Sequence, residues 1–270
     1  MLITLWAKAE ESRRPDGLLN DPVAMEIIRQ MDYDFTKFRH AAMSQVGCCI
    51  RARLIDEETR NYLTIHPDAV VIQLGAGLDA RYQRLGLPRL THWYDLDLDE
   101  AVAIRRRFIP DTDQCTSLPM SLFDYRWVDR VQQHGKPVLI IIEGVLMYFS
   151  REEVMGLFRE LCRRFQQVTV LFDMLAFAAV KHARYHDALR KMSPKAEFRW
   201  SELETKTMEA WDEKIHVGRE FYMSDHDDGR FPWPARMLYK VPFFHKRFNQ
   251  RIVRLEIGPS GAGSCLTHQG

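Results

Sequence analysis

Between residues 70 and 172, short apolar runs alternate with helix-like stretches. The runs are Val70–Leu74, His92–Tyr94, Thr116–Leu118, Val138–Ile142 and Val168–Phe172, and the stretches between them include Leu98–Phe108, Tyr125–Gln132 and Arg151–Phe165. Continuous apolar strands separated by helices are βαβ units, so the pattern predicts an α/β fold with a doubly wound parallel sheet covered on both faces. Ahead of this core, residues 1–66 read as helical. Asp21-Pro22 supplies an N-cap and a first helical position, and Val23, Ala24, Ile27, Ile28 and Met31 follow at helix spacing. A second helix is predicted over about Ala41–Leu63.

Beyond the core, Met174–Lys246 begins helical and becomes polar and aromatic, with Trp200, Trp211, Phe231 and Trp233. Apolar alternation returns at Ile252, Val253, Leu255 and Ile257 and predicts a last strand. One domain is therefore expected over 1–257. It divides into an N-terminal helical cap (1–66), a ligand-binding core (67–173), a substrate cap with late strands (174–249) and the last strand (250–257). The Gly-, Pro- and Ser-rich end, 258–270, reads as a flexible tail.

Charge removes one class of function. Thirty-eight Lys and Arg against 37 Asp and Glu leave a formal charge of +1, which gives no field for the phosphates of a nucleic acid. The basic runs Arg105–Arg107 and Arg163-Arg164 read as solvated helix faces. Five cysteines with no CxxC pair and no His at zinc spacing point to a reduced, cytoplasmic chain without a metal site. No apolar run is long enough to span a bilayer and the first residues lack a secretory apolar segment, so no membrane partner is expected.

The candidate chemistry begins where the first strand ends, in Leu74-Gly75-Ala76-Gly77-Leu78-Asp79-Ala80. Open α/β sheets bind ligands at that end of the strand, and glycine lets the backbone approach a ligand where a Cβ would intrude. The alternative is a tight turn with no ligand. After the second strand comes the acidic run Asp95, Asp97, Asp99, Glu100, with Asp97 lying 20 residues beyond Gly77. An acid there can accept from both hydroxyls of a ribose. Helix capping is the competing role, and Asp99 is placed to supply it. These two elements suit a nicotinamide dinucleotide and S-adenosylmethionine equally, because the turn also matches GxGxxA.

The stretch Ile140-Ile141-Ile142-Glu143-Gly144-Val145-Leu146-Met147-Tyr148-Phe149, followed by Ser150-Arg151-Glu152-Glu153, separates them. Together with Gly75-Ala76-Gly77-Leu78-Asp79-Ala80-Arg81 and Trp93-Tyr94-Asp95-Leu96-Asp97, it resembles the leucine carboxyl methyltransferase family, in the branch similar to polyketide carboxyl O-methyltransferases. The resemblance runs from about Ala9 to Ile257. It implies a Rossmann-like class I methyltransferase fold and S-adenosylmethionine as cofactor. Residue by residue, it implies that Arg51 holds the methionine carboxylate, with Arg53 the neighbour most easily confused with it. Gly75, Ala76 and Gly77 would pass under the methionine part, Asp97 would bind the ribose, Ser121 and Leu122 would contact the adenine, and Glu143 would face the methionine amino group. Many members carry Asp where this chain has Ser121.

The reaction expected is methyl transfer to a carboxylate of a small, polyketide-like acceptor. Such a carboxylate is ionised at neutral pH, with model values near about 4, and needs no base; a phenol, near about 10, does. Tyr148 is the one candidate catalytic group, against a plain packing role. For a phenol acceptor, Lys181, His182, Arg184, Tyr185 and His186 hold the possible bases. A nicotinamide oxidoreductase and a non-catalytic scaffold are the competing classes.

Overall fold

The computed structural model describes residues 1–180, 197–227 and 229–259. Five parallel strands, β1 (Val70–Leu74), β2 (His92–Asp97), β3 (Cys115–Pro119), β4 (Val138–Ile142) and β5 (Val168–Met174), are joined by helices. Two antiparallel strands, β6 (Ile215–Tyr222) and β7 (Arg251–Ile257), complete one sheet in the order β3-β2-β1-β4-β5-β7-β6. Strand β1 pairs with β2 on one side and β4 on the other, so the chain reverses direction across the sheet between β1 and β4. That reversal opens a crevice at the carboxyl ends of these two strands.

Every residue of β1, β4 and β5 is buried because both faces of the sheet are covered. Val70, Ile72, Ile140 and Phe172 pack against Trp127 of α6 (Arg126–Gln132) and Leu157 and Phe158 of α7 (Arg151–Arg164). The alternate residues Val71, Leu139, Ile141 and Leu171 pack against Ile50, Leu54 and Tyr62 of α3 (Ala42–Ile65). Full burial of each such side chain is worth about 1.5–3 kcal/mol, which makes these strands the anchor for the loops at their ends. Helix α7 starts at a capping box, Ser150 accepting from the Glu153 N–H while the Glu153 side chain accepts from the Ser150 N–H.

The N-terminal helices are part of this packing. Helix α1 (Leu2–Ser12) lies on α3 and on α2 (Pro22–Gln30), whose N-cap Asp21 accepts from the Ala24 N–H at 2.9 Å. Short helices α4 (Arg81–Arg84) and α5 (Asp99–Phe108) follow β1 and β2. The expected last strand is β7, one residue longer than its apolar alternation. Strand β6 lies within the 174–249 segment where late strands are expected, but no apolar run marks its position, because it lies at the sheet edge with its middle residues exposed. Two short helices, α8 (Trp233–Tyr239) and α9 (Pro242–Phe248), link β6 to β7. Arg105 also departs from its reading as a solvated residue. It is 1% exposed and ion-paired to buried Asp95. Among the described residues, no helix is long and apolar enough to cross a membrane. The tail from residue 260 lies outside the described residues.

Candidate active site

The nine residues singled out above line one cavity of about 1290 Å³ over the carboxyl ends of β1, β2 and β4: Arg51, Gly75, Ala76, Gly77, Asp97, Ser121, Leu122, Glu143 and Tyr148. The Gly-rich turn is its floor. Gly75 has φ +74° and a Cβ there would come within 2.4 Å of Val145 Cγ2, while Gly77 has φ +54° and a Cβ would meet Met1 Cγ at 3.2 Å. Only glycine takes such angles without strain while leaving the floor open. Arg105 of α5 props the turn from behind, its Nη1 donating to the carbonyls of Gly77 at 3.1 Å and Asp79 at 2.7 Å.

The two acids at the end of β2 separate cleanly. Asp95 is 1% exposed and held by Trp93 Nε1 and Arg105, away from the cavity. Burial pushes its carboxyl above the usual range, with Arg105 opposing. Asp97 faces the cavity, accepting the Gly77 N–H at 2.7 Å and the Leu98 N–H at 2.8 Å. Asp99 does not cap α5: Leu98 occupies the N-cap position and no side chain caps the helix. Ser121 accepts the Phe123 N–H at 3.2 Å, which shapes the loop after β3 around Leu122.

The other end of the floor is a connected network of nine buried charges. Glu143, just past β4, pairs with Arg51 Nε at 3.0 Å and with Arg81. Arg51 also reaches Asp173 at 3.2 Å. Arg81 reaches Asp56 at 2.8 Å and Asp79 at 3.3 Å, and Arg84 reaches Asp21, Asp56 and Asp79, each at 2.7 Å. Lys8 of α1 completes it, 2.5 Å from Asp79. Burial alone would raise the Glu143 carboxyl, but Lys8, Arg81 and Arg51 outweigh it and hold it below the carboxylate range. Burial acts the same way on Asp79, and Arg84, Lys8 and Arg81 drive it well below that range. The network holds four cations and five carboxylates, so it presents one surplus negative charge beside the cavity.

This arrangement distinguishes the arginines. Arg51 lines the cavity from α3, whereas Arg53 turns away to donate to the His226 carbonyl at 2.6 Å. Arg81 is fully buried inside the network, and Arg13 pairs with Glu10 on the surface. On Arg51, Nε and Nη1 are engaged by Glu143 and Asp173. Lys8 was not singled out by any motif. It is one Lys in a helix, and its partner Asp79 lies 71 residues away, so only the packing of α1 over the turn reveals it.

Away from the charges the cavity is apolar and aromatic, walled by Met43, Tyr148, Leu175, Phe198, Phe231 and Phe248. Tyr148 and Phe198 rings lie 5.8 Å apart, and burial raises the Tyr148 phenol above its ordinary value. The possible bases Lys181, His182, Arg184, Tyr185 and His186 lie outside the described residues. Among the described residues, no His lines the cavity and no cluster of His, Cys and acidic groups could hold a metal.

The fold and this site define a class I S-adenosylmethionine-dependent methyltransferase. A glycine floor without Cβ atoms, a carboxylate at the tip of β2, and cations with a buried acid beside β4 fit that cofactor's adenosine and amino-acid ends. The chain belongs to the leucine carboxyl methyltransferase family, whose model matches residues 1–162. It is 31% identical over 259 residues to the tetracenomycin polyketide synthesis O-methyltransferase TcmP of Streptomyces glaucescens, covering 94% of each chain. It is 26% identical over 266 residues to the S-adenosyl-L-methionine-dependent methyltransferase dpfgK of Gibberella zeae, covering 89% of this chain and 88% of that one. In fold it is similar to a S-adenosylmethionine-dependent methyltransferase of Anabaena variabilis, with TM-score 0.52, 9% identity, and 84% and 96% of the two chains covered. Magnesium protoporphyrin IX methyltransferase of Synechocystis, solved with S-adenosylmethionine bound, gives TM-score 0.50 at 12% identity over 88% and 98% of the chains. The chain is an S-adenosylmethionine-dependent O-methyltransferase, which sets the nicotinamide reading aside.

Proposed function

We propose that this enzyme forms methyl esters, transferring the methyl group to the carboxylate of a small acceptor with an apolar, aromatic body. The observation that carries the reading is the make-up of the cavity: its ionised side chains gather about the Gly-rich floor, and its remaining walls are apolar and aromatic. The ionised side chains lining it are tied into ion pairs or backbone bonds, and no imidazole lines it among the described residues. A carboxylate acceptor needs no proton removed, so alignment and exclusion of water are what the protein must supply. The TcmP relative, named for a polyketide pathway, supports an aromatic, polyketide-like acceptor.

Bound, S-adenosylmethionine supplies an electrophilic methyl group on a sulfonium. In this reading Asp97 accepts from the ribose hydroxyls, Ser121 and Leu122 border the adenine, and Glu143 accepts from the amino group. Arg51, through Nη2, and Lys8 face the amino-acid carboxylate. The surplus negative charge of the network suits a ligand whose net charge is positive. Tyr148, its phenol held protonated by burial, donates to the acceptor and does not act as a base.

The test uses cofactor with a labelled methyl group and two acceptors sharing one aromatic body, one bearing a carboxylate and one a phenol. Ester formation releases labelled methanol on mild alkaline hydrolysis, and its rate is expected to stay flat between about pH 6 and 8. A base-stable product, or a rate that climbs tenfold per unit with pH, overturns the carboxylate assignment.

A further inference from the structure

Asp173 is the penultimate residue of strand β5, whose remaining residues from Val168 to Met174 are apolar apart from Thr169, and no motif marks it. It is 2% exposed and does not line the cavity. Its Oδ1 accepts the Gly144 N–H at 2.6 Å, and its Oδ2 accepts from Arg51 Nη1 at 3.2 Å. Gly144 turns at φ +70°, and a Cβ there would come within 3.3 Å of Arg51 Nη2. The Arg51 guanidinium is thus held by two carboxylates, Glu143 at Nε and Asp173 at Nη1, and the missing Cβ of Gly144 leaves room at the Nη2 end. A carboxylate buried in an apolar strand costs desolvation, and burial raises the Asp173 carboxyl while Arg51 draws it down. Arg51 is a long side chain with many rotamers, and two buried carboxylates remove that freedom before any ligand arrives.

We propose that Asp173 is a positioning residue for the cofactor's amino-acid carboxylate: it fixes the Arg51 guanidinium so that Nη2 is the atom left to meet that carboxylate. The inference rests on the assignment of Arg51 made above. It makes the grip of Arg51 a single end-on contact set by β5, and it gives Gly144 a part in the same device, since a Cβ there would crowd the Nη2 end and strain the backbone at φ +70°.

The intact protein is titrated calorimetrically with S-adenosylhomocysteine and, separately, with 5′-methylthioadenosine, which shares the adenosine and thioether but has no amino-acid end. Asp173→Asn keeps an oxygen for the Gly144 N–H and can turn its amide donor toward Arg51. It is expected to bind S-adenosylhomocysteine about tenfold or more weakly while its affinity for methylthioadenosine stays within about twofold of the parent. Introduced into Arg51→Lys, the same change should add less than about twofold, because both substitutions act on one contact. Equal losses for the two ligands, no loss, or additive losses in the double variant overturn the proposal. If Asp173→Asn does not fold, Asp173→Glu, which keeps the charge and moves it by one methylene, is read by the same comparison. A parent protein that binds neither ligand overturns the cofactor assignment as well, whereas selective failure at Asp173 leaves that assignment standing.

Discussion

At Gly75 the chain turns with φ +74° directly under Val145. Gly75→Ala combines a disfavoured backbone angle with a contact of 2.4 Å, and is expected to cost about 1–3 kcal/mol in denaturant unfolding together with loss of cofactor binding. A stability within about 0.5 kcal/mol of the parent would show that the turn relaxes. Arg105 is a second residue whose role follows from its contacts. Arg105→Met leaves Asp95 buried without its cation and frees the carbonyls of Gly77 and Asp79, so a loss of about 3–5 kcal/mol is expected. Unfolding curves check it, and a neutral result would mean that Asp95 is protonated in the fold. Single residues of this kind were the least legible from the chain. Asp97 could be chosen over Asp95 by its spacing from Gly77, but Arg105 looked like one more solvated arginine. Lys8 and Asp173 carry no local signature, because their partners lie 71 and 122 residues away.

The elements were legible in proportion to how completely they are buried. Strands β1 and β4 match their apolar runs residue for residue, since a strand covered on both faces cannot alternate. Strand β6 contains His216, Arg219 and Glu220 and pairs along one edge only, so neither its composition nor its period separates it from a loop. Helix α1 falls within the N-terminal helical cap expected from the sequence, but nothing in its pattern singles out Lys8. Its small residues Ala7 and Ala9 are fully buried against neighbouring helices, which lets Lys8 reach Asp79. Ala7→Leu is therefore expected to overpack this contact at about 1–3 kcal/mol and to weaken S-adenosylhomocysteine binding as α1 lifts from the turn. Calorimetry on the folded variant checks it, and destabilisation with unchanged affinity would detach α1 from the ligand site.

Over the whole molecule the buried network governs the response to acid. Asp79 and Glu143 have folded pKa values depressed below the unfolded range near about 4, so their stabilisation is complete above that range and is lost as pH falls through their folded values. Asp95 and Asp173 are raised by burial and act in the opposite sense, their contribution fading as pH rises through their folded values. The melting temperature is expected to change little above about pH 5 and to fall steeply below about pH 4, with each withheld proton worth up to about 1.4 kcal/mol per pH unit. A melting temperature that rises as pH is lowered from about 4 to 3 would contradict this charge assignment. The architecture joins three distant parts of the chain at one crevice: the turn after β1, the acid after β4, and an arginine from α3. Calorimetric titration of the parent and of Asp97→Ala with S-adenosylhomocysteine and with NADH tests that assembly most directly. The prediction is that the parent binds S-adenosylhomocysteine and not NADH, and that folded Asp97→Ala binds it about 1–3 kcal/mol more weakly. Binding of NADH, or an unchanged affinity for S-adenosylhomocysteine in Asp97→Ala, would contradict it.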